Sequence, residues 1–262
     1  MNARMFGEIF ANPAIDPIPA GIRMGDLVHA TRITGANPIT GALPDSLDAQ
    51  LRNAFANMLG SVENAGGTID NIAHVSLFLT DARAGMMAVN AQWVATFPDA
   101  ADRPTYKFMT TPLTGRHLVH VEYFAVLGAR RRIVNIPGVA HTNPIPMAVR
   151  IGDYLFSSRV LPMDPVTGAY PADVATQTEM LFGNVAAVLS EAGMAWQDIV
   201  QGRLFLADMS NLGVVERRWS SCFADQAVRP VLHPIHYNVG PSLLVMLEIL
   251  AVNNRSADVK KD

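Results

Sequence analysis

The chain is predicted to be an α+β protein in which one small domain is written twice in tandem. Three observations predict it: an internal repeat in a single register, apolar stripes at helical spacing, and short apolar runs closed by Pro/Gly turns. Gly25 to Gly41 (GDLVHATRITGANPITG) returns as Gly152 to Gly168 (GDYLFSSRVLPMDPVTG), 127 residues further on. The same offset carries Gln50 to Gln177, Ala65-Gly66 to Ala192-Gly193, and Leu77–Asp81 to Leu204–Asp208. After one deletion, Arg103-Pro104 maps to Arg229-Pro230 and Glu122 to Glu248. A register held across most of each half is the signature of a duplicated folding unit.

The elements of each copy follow in order. Residues 27–33 and 154–161 are apolar runs ending in NPITG or DPVTG, a turn expected to send the chain back as a hairpin. Leu47, Leu51, Phe55, Met58, Leu59 and Val62 then recur at spacings of three and four, which predicts a helix stopping at Ala65-Gly66-Gly67. Its partner uses Val174, Leu181, Val185, Val188 and Leu189 and stops at Gly193. A strand follows at 75–79 or 204–206, and a second helix near 84–97 or 210–223. Two strands close each copy, 104–111 with 118–126 and 230–237 with 243–252. The order β-β-α-β-α-β-β predicts a mostly antiparallel sheet with two helices on one face. The boundaries are residues 1–128 for the first domain, 129–140 for an Arg-rich linker and 141–262 for the second domain with a short basic tail.

Composition bounds the function. Half of the 262 residues are hydrophobic and 16% charged, as expected of a chain that buries a core. The net charge is −3, and the patch Ala129–Arg132 reads as a solvated linker, so no nucleic-acid footprint is expected. The single cysteine, Cys222, leaves no disulfide framework. The longest apolar run, Leu243 to Val252, is broken by Glu248 and is too short to span a bilayer. A soluble, cytoplasmic protein is expected, with no membrane partner.

The ordered set Gly-Asp-hydrophobic, Asp-Pro-x-Thr-Gly, a helical Gln, Ala-Gly, an Arg opening a strand and a late hydrophobic-Glu-hydrophobic-x-Ala resembles the RidA/YjgF (reactive intermediate deaminase) family. The resemblance covers residues 12–127 and again 139–253. It implies a chorismate-mutase-like fold, three barrels about a threefold axis, and pockets between barrels. It further implies hydrolysis of the C=N bond of 2-imino acids, or of their enamine tautomers, with no metal or organic cofactor. A two-domain chain cannot close a ring of three alone, so a trimer of two-domain chains is expected.

Residue by residue, the resemblance makes Arg103 and Arg229 the grip on a substrate carboxylate. A planar guanidinium suits that role, because it offers two parallel hydrogen bonds and remains charged. Glu122 and Glu248 match the carboxylate that positions the attacking water; within an apolar strand such a group needs a partner or a purpose. An ion pair with a neighbouring strand is the alternative for both. Thr31 and Ser158 retain the family hydroxyl, whereas the glycine beside it is Arg32 in one copy and Arg159 in the other. A Tyr column is replaced by Pro17 and Pro144. Arg32 and Arg159 suit a second carboxylate, as in a dicarboxylic enamine such as 2-aminomuconate from aromatic-compound breakdown. They could equally point outward on an alternating strand. Asn90 and Thr105 match pocket residues in the first copy, but their partners are Glu216 and Val231, so the first copy looks the more intact.

Two histidine pairs, His117/His120 and His233/His236, are expected to face opposite sides of a strand and so to hold no metal. His141 sits at the entry to the second domain and could line a pocket. Two other readings compete with the deaminase. One is a metabolite-binding or chaperone-like oligomer. The other is a cyclic amide hydrolase, which would need Ser–Lys pairs that a chain with only Lys107, Lys260 and Lys261 scarcely supplies.

Overall fold

The computed structural model describes residues 20–223, 225–237, 240 and 242–253. They form two compact units, one running to Arg132 and including Asn143–Ile145, the other comprising residues 133–142 and those from Pro146 onward.

In the first unit β1 (Gly21–Met24) and β2 (Leu27–Thr34) pair antiparallel. The hairpin therefore turns at Gly25-Asp26, where Gly25 takes φ +62°, rather than at NPITG as the sequence suggests. NPITG does form a turn, with Asn37 Oδ1 accepting from the Ile39 and Thr40 amides, but the chain leaves it for a helix. That helix, α1 (Leu47–Asn64), is capped by Ser46, whose Oγ accepts from the Ala49 amide. It is followed by β3 (Ile72–Leu79), α2 (Ala82–Thr96), β4 (Thr105–Thr110) and β5 (Val119–Val126). The sheet order is β1-β2-β5-β3-β4, and the β3–β4 pair is parallel. Leu51, Phe55, Met58 and Val62 of α1 and Trp93 of α2 pack on Val75, Leu77, Leu79, Val121 and Tyr123. Each such side chain contributes roughly 1.5–3 kcal/mol on burial, which holds both helices on one sheet face.

The second unit repeats the plan. Its elements are β7 (Ala148–Ile151), β8 (Tyr154–Ser157), α3 (Val174–Glu191), β9 (Ile199–Leu206), α4 (Leu212–Ser221), β10 (Val231–His236) and β11 (Val245–Val252). A further strand, β6 (Arg131–Val134), completes the order β10-β9-β11-β8-β7-β6. The stretch expected to be a linker thus carries a strand. Nor is its basic patch wholly solvated: Arg131 is buried, donating to the carbonyls of Ile69, Ile72 and Asp102 and to the Asp102 carboxylate. A charge count along the sequence could not detect these acceptors, which come from distant loops.

Candidate active site

Strand alternation sends the apolar residues of β3 and β5 toward the helices and their neighbours to the opposite face. On that face the register sets Ser76 beside Glu122 and Lys107, and His74 beside Thr105 and Phe124. The Ser76 hydroxyl donates to Glu122 Oε1 at 3.3 Å and lies 3.4 Å from His74 Nε2. His74 Nδ1 is 2.7 Å from the hydroxyl of Thr105, which also donates to the Ala73 carbonyl. Thr105 is fully buried, while Glu122 is half-buried. His74 and Ser76 escaped the sequence reading, although their alternation with Val75 and Leu77 carries the signal.

A bulge lies directly across from this carboxylate. The β2–β5 register reaches Ala30 opposite Tyr123 and resumes at Ile33 opposite Val121. Thr31 and Arg32 therefore face the single residue Glu122, and Arg32 takes φ +55°, a left-handed conformation costly for any residue with a Cβ. The second unit has the same device. Its pairing runs from Phe156 opposite Leu250 to a bridge between Val160 and Leu247, so Ser158 and Arg159 fall across from Glu248. The bulge thus brings three of the sequence-selected residues together in each unit.

What surrounds the two carboxylates differs. Glu248 is buried and accepts from Arg203 Nη1 at 2.7 Å, an ion pair with the neighbouring strand. Arg203 occupies the column of Ser76, a correspondence visible in the sequence, but cross-strand register was needed to see the pairing. The Ser158 hydroxyl is committed to the Pro146 carbonyl at 2.8 Å. Arg159 does not point outward: its guanidinium packs against the rings of Phe205 and Tyr237, 4.3 Å from each centroid. Beside it, His141 is held neutral, its pKa pushed down to about 4 by burial and by the Arg159 charge. Arg32 does not face solvent fully either, since its Nη2 is buried and has no hydrogen-bond partner among the described residues.

The strand-opening arginines also diverge. Arg103 donates from Nε to the Phe97 carbonyl and from Nη2 to that of Pro98, bonds that fix the plane of its guanidinium. Arg229 carries a buried Nε with no partner among the described residues. Asn90 is on the helical side: it accepts from the Tyr106 hydroxyl and donates to Asn143 Oδ1, away from the Glu122 face. Val231, in the Thr105 column, is exposed. Pro17 lies outside the described residues. His117 and His120, expected on opposite sides of one strand, instead meet with ring centroids 4.9 Å apart. The alternation rule fails there because His117 precedes β5 and lies in the loop. A groove between α3 and α4, with Glu179 and Arg218 ion-paired along it, holds none of these residues.

The family model described as Endoribonuclease L-PSP matches residues 11–126 and again 139–252, the two stretches that carry the RidA/YjgF resemblance. A RutC family protein of Haemophilus influenzae is 30% identical over 86 residues, 33% of this chain and 66% of that protein. The 2-iminobutanoate/2-iminopropanoate deaminase of Escherichia coli K12 is 31% identical over 86 residues, 33% of this chain and 67% of that enzyme. The chain thus matches about two thirds of the length of each of these relatives. The crystal structure of the E. coli YjgF gene product covers 46% of this chain and 98% of its own, at 25% identity and a TM-score of 0.42. Among the described residues, no helix is long and apolar enough to cross a membrane.

Proposed function

This chain belongs to the Endoribonuclease L-PSP family twice over, and on that premise we propose that it is a cofactor-independent deaminase hydrolysing a carboxylated 2-imine or 2-enamine to the keto compound and ammonia. The observation that carries the reading is the bulge that sets a hydroxyl residue and an arginine across from a strand carboxylate in both units. The name of the E. coli relative, an iminobutanoate deaminase, supplies the reaction class.

Arg103, its plane already fixed by two carbonyls, takes the substrate carboxylate and so holds the imine carbon near Glu122. Glu122 accepts a proton from water as the oxygen adds to that carbon, and passes it to the imine nitrogen to give the carbinolamine. In the collapse Glu122 takes the hydroxyl proton and delivers it to the amino nitrogen as the C–N bond breaks, so that the keto compound forms and ammonia leaves. The Ser76 hydroxyl orients the carboxylate for both transfers. The acid–base step is assigned to the first unit, because Arg203 occupies Glu248 in the second. Arg32 supports a dicarboxylic substrate of the 2-aminomuconate kind, by adding a cation beside the site. Three two-domain chains are proposed to assemble about a threefold axis.

Ammonia release from freshly generated 2-iminobutyrate and 2-aminomuconate tests the reading. Glu122→Gln is expected to lower turnover by about 100-fold or more, the usual scale of general acid–base assistance, and Glu248→Gln by far less. Arg103→Ala should raise KM chiefly. Wild-type rates no faster than spontaneous hydrolysis would leave a metabolite-binding role instead.

A further inference from the structure

Three nitrogens in the first unit are buried without a hydrogen-bond partner among the described residues: Arg32 Nη2, His117 Nδ1 and His120 Nε2. Orphaned polar atoms of this kind are costly, at roughly 1–3 kcal/mol each, and three together mark a place built for something else. They belong to neighbouring side chains. The two imidazoles meet edge to face at 4.9 Å, and the Arg32 charge acts directly on His120. Burial, His117 and Arg32 together hold the His120 pKa below the usual histidine value, and Arg32 supplies a fixed positive charge beside the two imidazoles. A guanidinium in that place repels a metal cation and attracts an anion. The arginine is also kept where the backbone resists it, at φ +55°, which is strain of the kind stored at functional positions.

We propose that Arg32, His117 and His120 form an oxyanion subsite of the first unit, one that takes a carboxylate or phosphate group beside the Glu122 site. His120 and Glu122 are two residues apart on one face of β5, which separates them by about 7 Å along the strand. The second unit has no equivalent: the histidine columns hold Leu243 and Met246, and Arg159 packs on the rings of Phe205 and Tyr237. The two units are therefore chemically different beside their strand carboxylates. Identifying the anion as the second carboxylate of a substrate rests on the deaminase reading; the subsite itself does not.

The test is a titration of the full-length chain with inorganic phosphate and, separately, with succinate, following the His117 and His120 imidazole signals by NMR. Saturable shifts are expected in the wild type, with affinity at least tenfold weaker in Arg32→Gly and in His120→Met. Arg32→Gly keeps the bulge intact, because glycine favours the φ found there, so lost binding cannot be ascribed to lost folding. A response to succinate alone assigns the site to a substrate carboxylate, and one to phosphate alone assigns it to a free oxyanion. A response to both confirms the subsite, and the relative affinities then rank the sources. Imidazole signals unmoved by either anion, or unchanged affinity in Arg32→Gly, would overturn the proposal. Ammonia release from 2-iminobutyrate and from 2-aminomuconate by the same wild-type sample is read separately, so its absence with both sinks the deaminase and leaves the titration to judge the subsite.

Discussion

Arg32 and His141 show how single residues carry tension in this molecule. Arg32 sits at φ +55° in the β2–β5 bulge, and a β-branched residue there would be worse placed than arginine. Arg32→Val is expected to destabilise the chain by about 1–2 kcal/mol, while Arg32→Gly leaves the melting temperature equal or higher; thermal unfolding of both variants checks this. His141 titrates at about 4 when folded, because burial and Arg159 oppose its charge. An unfolded histidine titrates near 6.5, so between pH 4 and 6.5 the unfolded chain binds the extra proton and stability rises with pH. The effect amounts to up to roughly 3 kcal/mol. His141→Phe should flatten that part of the profile, measured as the difference in melting temperature between pH 4.5 and 7.

At the scale of elements, both copies use one glutamine to tie the first helix to the approach of the last strand. Gln50 Nε2 donates to the carbonyls of Pro44 and Arg116, and its Oε1 accepts from the Leu118 amide. Gln177 repeats the pattern with Pro171, Ser242 and Leu244. Both glutamines are fully buried, so truncation strands two carbonyls and an amide in a dry site. Gln50→Ala and Gln177→Ala are each expected to cost about 2–4 kcal/mol, read from chemical denaturation. Close packing enforces the same junction: a Cβ on Gly35 would come within 2.6 Å of the Gln50 backbone. The family glutamine is thus a structural tie in this chain.

For the whole molecule, the two copies differ in what stands beside the strand carboxylate. The first unit keeps Ser76 beside Glu122, where the second has Arg203 ion-paired to Glu248. Activity confined to the first unit is the expected outcome of the Glu122→Gln and Glu248→Gln comparison. The proposed threefold assembly predicts a solution mass of three 28.3 kDa chains by light scattering; a monomeric mass would require a pocket complete within one chain.

The sequence by itself determined the duplication, the family and the succession of elements from the first helix of each copy onward, because these are carried by repeats and periodicities along the chain. The first hairpin and the strand in the expected linker came from the structure. It also singled out Thr31, Arg32, Glu122 and their partners, which the bulges then bring together. Tertiary structure alone decided what each residue touches. Ser76 and Arg203 fall beside their glutamates only through strand register, Asn90 is turned to the helical side by Tyr106, and His117 reaches His120 because it precedes its strand. Hydrogen-bond partners come from residues distant in sequence, and no local pattern records which two strands will meet.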